Sequence, residues 1–169
     1  MNNLFECKVK YEKVQENGIQ KTVTEPYLVD ALSFTEAEAR ITDELLPYIS
    51  GEYQIADIKR AKLAEVFTNP EGDRYFKAKV QFLTLDEKSG TEKKTAVTML
   101  IQASDIDGAL AGLKKGMEGT LADYAIASLS ETSIMDVFFY GDMRKVQKPS
   151  SRLLGGQNKS RSERQYSLV

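Results

Sequence analysis

Histidine is absent from this chain of 169 residues, and cysteine occurs once, as Cys7. Histidine is the most frequent general base and the most frequent metal ligand in proteins. Its absence excludes histidine-dependent catalytic triads, zinc-protease helices and most zinc sites. A single cysteine excludes intrachain disulfides and clusters of metal-binding thiolates. We therefore expect no metal, no cofactor and no enzymatic activity; an enzyme would have to work with carboxylates, lysine or tyrosine alone.

Long apolar runs are also missing. No run approaches the roughly 18 residues that a membrane-spanning helix requires. The first residues, Met1 to Lys8, lack the basic end and apolar stretch that are typical of a signal peptide. These features predict a cytoplasmic protein that has no membrane partner.

Charge is distributed unevenly along the chain. Residues 1–140 carry 16 Lys and Arg against 23 Asp and Glu, a net charge of −7. Residues 141–169 carry 7 against 2, a net charge of +5. Net charge bears on association more than on fold. An acidic body is not expected to bind polyanions indiscriminately, whereas the basic tail could.

The first half of the chain begins with the pattern of two paired strands. Phe5, Cys7 and Val9 alternate with charged residues, which predicts a strand with one buried face. Cys7 on that face is expected to be a core thiol, because apolar surroundings make a thiol inert; a nucleophile is the alternative. The Asn-Gly pair at 17–18 predicts a type I′ hairpin turn into a second strand through residues 23–31.

A helix and a long strand follow. Ser33 and Glu36 have the spacing of a capping box at a helix start, and Pro47 limits the helix at its other end. Tyr53 to Phe67 is predicted to be one long extended segment, with a bulge near Asp57 because the alternation slips there. The apolar helix face has spacings of four, four and three and comprises Ala37, Ile41, Leu45 and Tyr48.

The second half of the chain repeats this pattern at an offset of 71 or 72 residues. A strand, a hairpin turn, a helix start and a long return strand match in the same order. Examples of matched pairs are Phe5 with Phe76, Val9 with Val80, Gly18 with Gly90, Ile41 with Leu113, and Tyr53 with Tyr124. We interpret this as a duplicated strand-strand-helix-strand unit, with repeats at about 4–68 and 75–140.

The repeat predicts the fold class. A unit of about 65 residues buries too little surface to be stable alone. We therefore predict a single α+β domain over residues 1–146, in which two duplicated units share one largely antiparallel sheet. Two helices would cover one face of that sheet and leave the other open to solvent or to a partner. Residues 147–169 have little apolar content and no periodicity, which predicts a disordered basic tail.

Two glycine-containing motifs have plain structural explanations. Gly108, Gly112 and Gly116 are spaced by four, which matches neither a dinucleotide-binding loop nor a P-loop. On a helix they lie on one side, where they would allow close packing within the chain or, alternatively, in a dimer. Residues 105–108, Asp-Ile-Asp-Gly, resemble part of a calcium loop without its later ligands. Helix capping by Ser104 and a favourable charge at the helix start account for them better.

A row of lysines is the main candidate for a functional surface. If alternate strand residues face the helices, the remaining face carries lysines, with Lys59, Arg60 and Lys62 nearby and Tyr53 or Tyr75 available for stacking. Single-stranded nucleic acid is often bound in this way. Interspersed acids favour the alternative of a solvated face that discourages aggregation. The speculative binding residues are Lys8, Lys10, Lys77, Lys79 and Lys62. Cations that the tail could add are Arg144, Lys145, Lys148, Arg152, Lys159, Arg161 and Arg164.

Two segments, Leu4-Phe5-Glu6-Cys7-Lys8-Val9 and Tyr75-Phe76-Lys77-Ala78-Lys79-Val80, begin the two repeats. On these segments in particular, residues 2–140 resemble an uncharacterised domain family of gut anaerobic bacteria and their phages. The resemblance covers the body and not the tail. It implies a role in a phage or another mobile element. The family has no assigned activity or site residues that could be transferred to this chain.

These observations lead to two hypotheses for function. The first is a non-catalytic macromolecule-binding or assembly module, with a protein as its partner and a homodimer as one form of it. The alternative is a single-stranded nucleic-acid-binding protein that uses the basic sheet face together with the basic C-terminal tail.

Overall fold

The computed structural model describes residues 3–139 and has the predicted α+β class. Apolar and polar residues alternate along the strands. A strand directs successive side chains to opposite faces, so the apolar ones can be buried on one face of the sheet. The elements of the described chain are β1 (Leu4–Val14), β2 (Gln20–Asp30), α1 (Phe34–Leu45), β3 (Tyr53–Arg60), β4 (Glu65–Phe67), β5 (Arg74–Leu85), β6 (Glu92–Ala103), α2 (Ile106–Gly116), β7 (Asp123–Glu131) and β8 (Val137–Phe138). The predicted basic tail, residues 147–169, lies outside the described residues.

The strands form two four-stranded sheets, so the prediction of one shared sheet is wrong. The first sheet has the order β3-β1-β2-β8 and the second has the order β4-β6-β5-β7. The chain accordingly divides into two units. Within the described residues, the first unit combines residues 3–61 with residues 133–139, and the second unit runs from Lys62 to Thr132.

The final strand of each half lies in the sheet of the other half. β4 follows β3 in sequence but pairs in parallel with β6 of the second sheet. β8 follows β7 but pairs in parallel with β2 of the first sheet. Tyr53 to Phe67 is therefore two strands and not one, because the segment leaves the first sheet after Arg60 and joins the second at Glu65.

Both units share several local features. Each has a long hairpin closed by a glycine with positive φ, at Gly18 (81°) and Gly90 (69°). The first hairpin has a five-residue loop between Val14 and Gln20 in place of the predicted two-residue turn. Each return strand has a bulge at the corresponding position: β3 near Asp57, as predicted, and β7 opposite the Lys79/Val80 step. A duplicated unit accounts for these matches, and the duplication stays a prediction.

The helices begin at side-chain caps. The Ser33 hydroxyl accepts a hydrogen bond from the Glu36 amide at 3.1 Å, which confirms the predicted cap of α1. α2 is capped by Asp105, whose carboxylate accepts from the Gly108 amide at 2.7 Å. The prediction of Ser104 as this cap is wrong, because the Ser104 hydroxyl donates to the Glu71 carbonyl instead.

Each helix packs on one face of its own sheet. Under α1, the fully buried residues include Phe5, Cys7, Val9, Ile41 and Leu45. Under α2, they include Ala78, Val80, Ala109 and Leu113. The predicted inward strand faces and the predicted apolar face of α1 are confirmed. Tyr48, at the end of that predicted face, is half-buried against the first cluster.

Glycines in the second unit allow close packing within the chain. A Cβ atom at Gly116 would lie 2.5 Å from the Phe67 ring, and one at Gly112 would lie 3.3 Å from Ile101. A Cβ atom at Gly72 would lie 2.6 Å from the Ala103 backbone. Gly112 and Gly116 therefore pack closely against residues of the same chain, which is the first of the two explanations given above for the helical glycines.

Candidate binding surface

The second sheet carries an exposed row of lysines on the face opposite α2. Phe76, Ala78 and Val80 of β5 pack in the cluster under α2. The intervening side chains of β5, Lys77 and Lys79, therefore point to the other face, and both are exposed.

The strand register determines which side chains surround these lysines. Lys77 lies opposite Leu100 of β6 and Ser130 of β7. Lys79 lies opposite Thr98 and Ser128. None of these four neighbours is charged, so the two lysines have no carboxylate directly across from them.

A third lysine extends the row toward the hairpin end of the sheet. Lys94 of β6 lies opposite Leu83 of β5, on the same face as Lys77 and Lys79, and is exposed. We call Lys77, Lys79 and Lys94 the basic face. Among residues 3–139, these three lysines form no ion pair. The acids on this side of the sheet, Asp123 and Glu92, stand near its hairpin end.

The corresponding face of the first sheet has mixed charge. Lys8 lies opposite Asp57 in the register of β1 and β3. The Lys59 ammonium pairs with the Glu6 carboxylate at 3.1 Å. Lys10 is exposed further along β1. Positive and negative side chains alternate here, which is typical of a solvated surface.

The structure does not place the predicted lysines on one sheet. Lys8 and Lys10 belong to the first sheet, and Lys77 and Lys79 belong to the second. Lys62 is exposed in the connection between β3 and β4, outside any strand. The expectation of one continuous stripe depended on a single shared sheet, which the chain does not form.

Neither tyrosine proposed for base stacking is available on a lysine-bearing face. Tyr75 is fully buried, and the Tyr75 carbonyl accepts a hydrogen bond from the Thr132 hydroxyl at 2.8 Å. Tyr53 packs against the cluster under α1 and so belongs to the helix side of the first sheet. The expectation that either ring is available to stack on bases is therefore wrong.

The long edge strands of the two sheets differ in charge. β3 and β7 each form one edge of their sheet, opposite the short strands β8 and β4, and each has a single neighbour in the described chain. β3 carries Asp57, Lys59 and Arg60 among its eight residues. β7 carries charge only at its two ends, Asp123 and Glu131, and the seven residues between them are uncharged. Edge charges discourage pairing with further strands, so β3 is the better protected edge.

The first unit contains a polar cluster that sequence reasoning missed. The Tyr11 hydroxyl donates a hydrogen bond to the Glu25 carboxylate. The Tyr27 hydroxyl lies 3.5 Å from the same carboxylate oxygen, and the Lys13 ammonium lies 3.8 Å from the other. Burial and the Glu25 carboxylate raise the pKa of both phenols well above the usual value. The nearby Asp136 carboxylate also contributes to the raised pKa of Tyr27.

A sequence signal for this cluster exists. Glu25 occupies an inward position of β2, directly opposite the buried Val9. A carboxylate at an inward position needs partners, because burying an unpaired charge is costly. The positions that lie 71 or 72 residues later are Phe82, Val97 and Met99, which are all apolar. The polar cluster is therefore a feature of the first unit that its counterpart lacks.

The remaining chemistry of the described residues is limited. Cys7 is fully buried, as predicted, and burial together with the nearby Glu6 and Asp57 carboxylates raises the pKa of its thiol to about 12. A thiol with that pKa is a poor nucleophile at neutral pH. Within residues 3–139, no three side chains of histidine, cysteine, aspartate or glutamate are grouped to hold a metal ion. No helix in this range has the length and apolar content to cross a membrane.

Comparison with known proteins places the chain in a family. The chain has no match among curated proteins. The family model described as "Domain of unknown function (DUF4494)" matches residues 3–140, which is most of the chain and nearly the same range as the described structure. The protein therefore belongs to the DUF4494 family.

Proposed function

We propose that this protein is a non-catalytic binding module that uses the basic face of its second sheet to contact an acidic surface on a partner protein. The observation that supports this most directly is the register: Lys77 and Lys79 are exposed, and their cross-strand neighbours are uncharged. Like charges placed close together without counterions attract an oppositely charged partner and speed its encounter.

A protein partner is favoured over single-stranded nucleic acid for two reasons. Binding of single strands combines cations with aromatic rings that stack on bases, and Tyr75 and Phe76, the aromatic residues nearest Lys77 in sequence, are both buried. The body also has a net charge of −7 over residues 1–140, which opposes a polyanion except at the basic face. A role in a mobile element and a cytoplasmic location remain predictions.

The experiment compares three forms of the full chain as bait in an extract of the native host: wild type, Lys77→Glu/Lys79→Glu, and the control Lys8→Glu/Lys10→Glu. Both double variants change the net charge equally and affect strand residues on the face opposite a helix. Quantitative mass spectrometry measures each captured protein. We expect at least one protein to be retained by wild type and by the control, and to fall at least tenfold with Lys77→Glu/Lys79→Glu.

Two outcomes would overturn this proposal. One is equal capture by all three baits, which would exclude the basic face. The other is salt-sensitive binding of a labelled 30-nucleotide single strand that Lys77→Glu/Lys79→Glu abolishes while no protein depends on these lysines. That second result would favour the nucleic-acid alternative, because charge-dependent binding of nucleic acid weakens steeply with salt.

A further inference from the structure

The outer edge of β7 is the least protected strand edge in the second sheet. β7 has one neighbour in the described chain, β5, and most of its residues are exposed. The other edge of this sheet is occupied by β4, which pairs with β6 over only three residues. A short strand is thus enough to extend this sheet by one position.

The residues of β7 do not discourage a further strand. Charged side chains, especially lysine, protect sheet edges against pairing, and so does proline. The interior of β7, residues 124–130, contains none of them, whereas β3 contains three charged residues. The bulge in β7 increases the local twist and separates residues 123–126 from 128–131. Residues 128–131 are the half that lies beside the lysines.

The lysines next to this edge select the charge of an added strand. Ser130 stands between Lys77 and the outer edge, and Ser128 stands between Lys79 and the outer edge. A strand added to β7 would lie two strand spacings from β5, roughly 10 Å. Because both serines are small, a lysine and an acidic side chain from opposite sides can meet above them. Alternate residues of the added strand would point to this face.

We propose that β7 is a strand-addition site for an extended segment of the partner that has acidic residues at alternate positions and pairs along Ser128–Glu131. This inference rests on the function proposed above and specifies how the partner binds. Backbone hydrogen bonds to the strand edge provide affinity in this recognition mode, and alternate side chains provide specificity. Charge complementarity with Lys77 and Lys79 identifies the segment as acidic.

A second copy of the chain fits this edge less well. If two β7 strands paired antiparallel about their shared centre at Ala127, Asp123 of each copy would stand opposite Glu131 of the other. Like charges directly opposite each other destabilise a strand pair. The same arrangement would supply no acids beside Lys77 and Lys79.

The test selects phage-displayed random peptides of 12 residues on the immobilised full chain. Enriched peptides are synthesised, and their affinity is measured by fluorescence anisotropy. We expect enriched sequences with Asp or Glu at every second position. Amide hydrogen exchange, measured residue by residue by NMR, should show at least tenfold added protection at alternate amides of residues 128–131 when a peptide is bound, and none in β3.

Matched variants separate a local effect at β7 from a general change in net charge. Ser128→Glu/Ser130→Glu places acids on β7, between the lysines and the added acidic strand, and should weaken peptide binding at least tenfold. The control Gln54→Glu/Ala56→Glu adds the same charge to exposed positions of the other edge strand, β3, and should change binding less than twofold.

The failures of the two proposals are distinguishable. If peptides lose binding with Lys77→Glu/Lys79→Glu but leave the β7 amides unprotected, the basic face binds acids and the strand-addition inference is wrong. If neither the lysine variant nor the serine variant changes binding, both proposals are wrong. Failure to enrich any peptide, or enrichment of peptides without alternating acids, also overturns the inference.

Discussion

The two units have the same framework and differ in where they carry polar groups. In each sheet the first hairpin strand pairs with the return strand, and the second hairpin strand pairs with a short strand from the other half of the chain. Both units also have a glycine-closed hairpin and a bulged return strand. The first unit buries a polar cluster of Tyr11, Glu25 and Tyr27 on its helix side and has paired charges on its outer face. The second unit is apolar under its helix, and on its outer face Lys77 and Lys79 form no ion pair with any residue that the structure describes.

This difference shows how a single framework can take on different chemistry. Successive residues of a strand point to opposite faces, so the outer face can change without altering the core. Lys8 and Lys79 are 71 residues apart in corresponding positions, yet the first faces Asp57 and the second faces Ser128. The two lysines therefore differ in the charge of their cross-strand neighbours.

The largest expected effect comes from separating the halves. Because each half supplies a strand to the sheet of the other, fragments 1–71 and 72–169 should each lack a cooperative unfolding transition. Mixing the two fragments should restore the circular dichroism spectrum and a single complex on gel filtration. A fragment 1–71 that unfolds cooperatively at the temperature of the full chain would show that the strand exchange is dispensable.

The helices provide a sharper comparison. In α2, Gly116 leaves room for the Phe67 ring, and a Cβ atom there would overlap the ring at 2.5 Å. We expect Gly116→Ala to reduce the free energy of unfolding by about 2 kcal/mol, the typical cost of overpacking. Urea denaturation measures this loss. The double variant Gly116→Ala/Phe67→Leu should lose less than the sum of the single variants, because the two sites are in contact; strict additivity would exclude the packing explanation.

The polar cluster can be converted to the apolar pattern of the second unit. Tyr11→Phe removes the hydroxyl that donates to Glu25 and should cost about 1 kcal/mol of stability. The triple variant Tyr11→Phe/Glu25→Val/Tyr27→Phe makes the cluster apolar, as its counterpart Phe82, Val97 and Met99 is, and should recover most of that loss because neither the carboxylate nor the Tyr27 hydroxyl remains to be satisfied. Chemical denaturation of both variants at pH 7 provides the measurement. A triple variant less stable than Tyr11→Phe would mean that the cluster stabilises the fold as a unit.

The smallest effect concerns Cys7, which corresponds to Ala78 in the second unit. Burial raises the pKa of the Cys7 thiol to about 12 in the folded protein, whereas the pKa of a cysteine thiol in an unfolded chain is about 8.5. The protonated Cys7 thiol therefore contributes to the free energy of unfolding at pH values below its pKa in the unfolded chain. This contribution is lost as the pH rises toward the pKa of the thiol in the folded protein. Between pH 7 and pH 9 we expect a loss of about 0.8 kcal/mol. Cys7→Ala should remove this portion of the pH dependence, and an unchanged profile would assign it to other groups.

Local signals predicted the elements well. Alternation identified the inward residues of β1 and β5, and the Ser33 cap and the bulge near Asp57 followed from spacing and slippage. These features are decided by neighbours along the chain or by one hydrogen-bonded strand. The cap of α2 was misassigned because Ser104 and Asp105 are both good N-cap residues, and backbone geometry selects between them.

Long-range pairing was not predictable in the same way. Residues 53–67 have a nearly continuous strand pattern, and nothing local indicates that the chain changes sheets between Arg60 and Glu65. The predicted lysine stripe failed for that reason, since it assumed one sheet. The basic face became visible only from the register, which places uncharged residues around Lys77 and Lys79.

The most direct test of the central claim uses site-specific photo-cross-linking. A benzoylphenylalanine replaces Ala96 in one form of the full chain and Thr24 in another, two corresponding exposed positions on the outer faces of the two sheets, so that every lysine is kept. After irradiation in an extract of the native host, mass spectrometry identifies the cross-linked peptides. The account predicts cross-links from position 96 to an acidic segment of a partner protein, and none from position 24. Cross-links from position 24 alone, or equally from both positions, would contradict it.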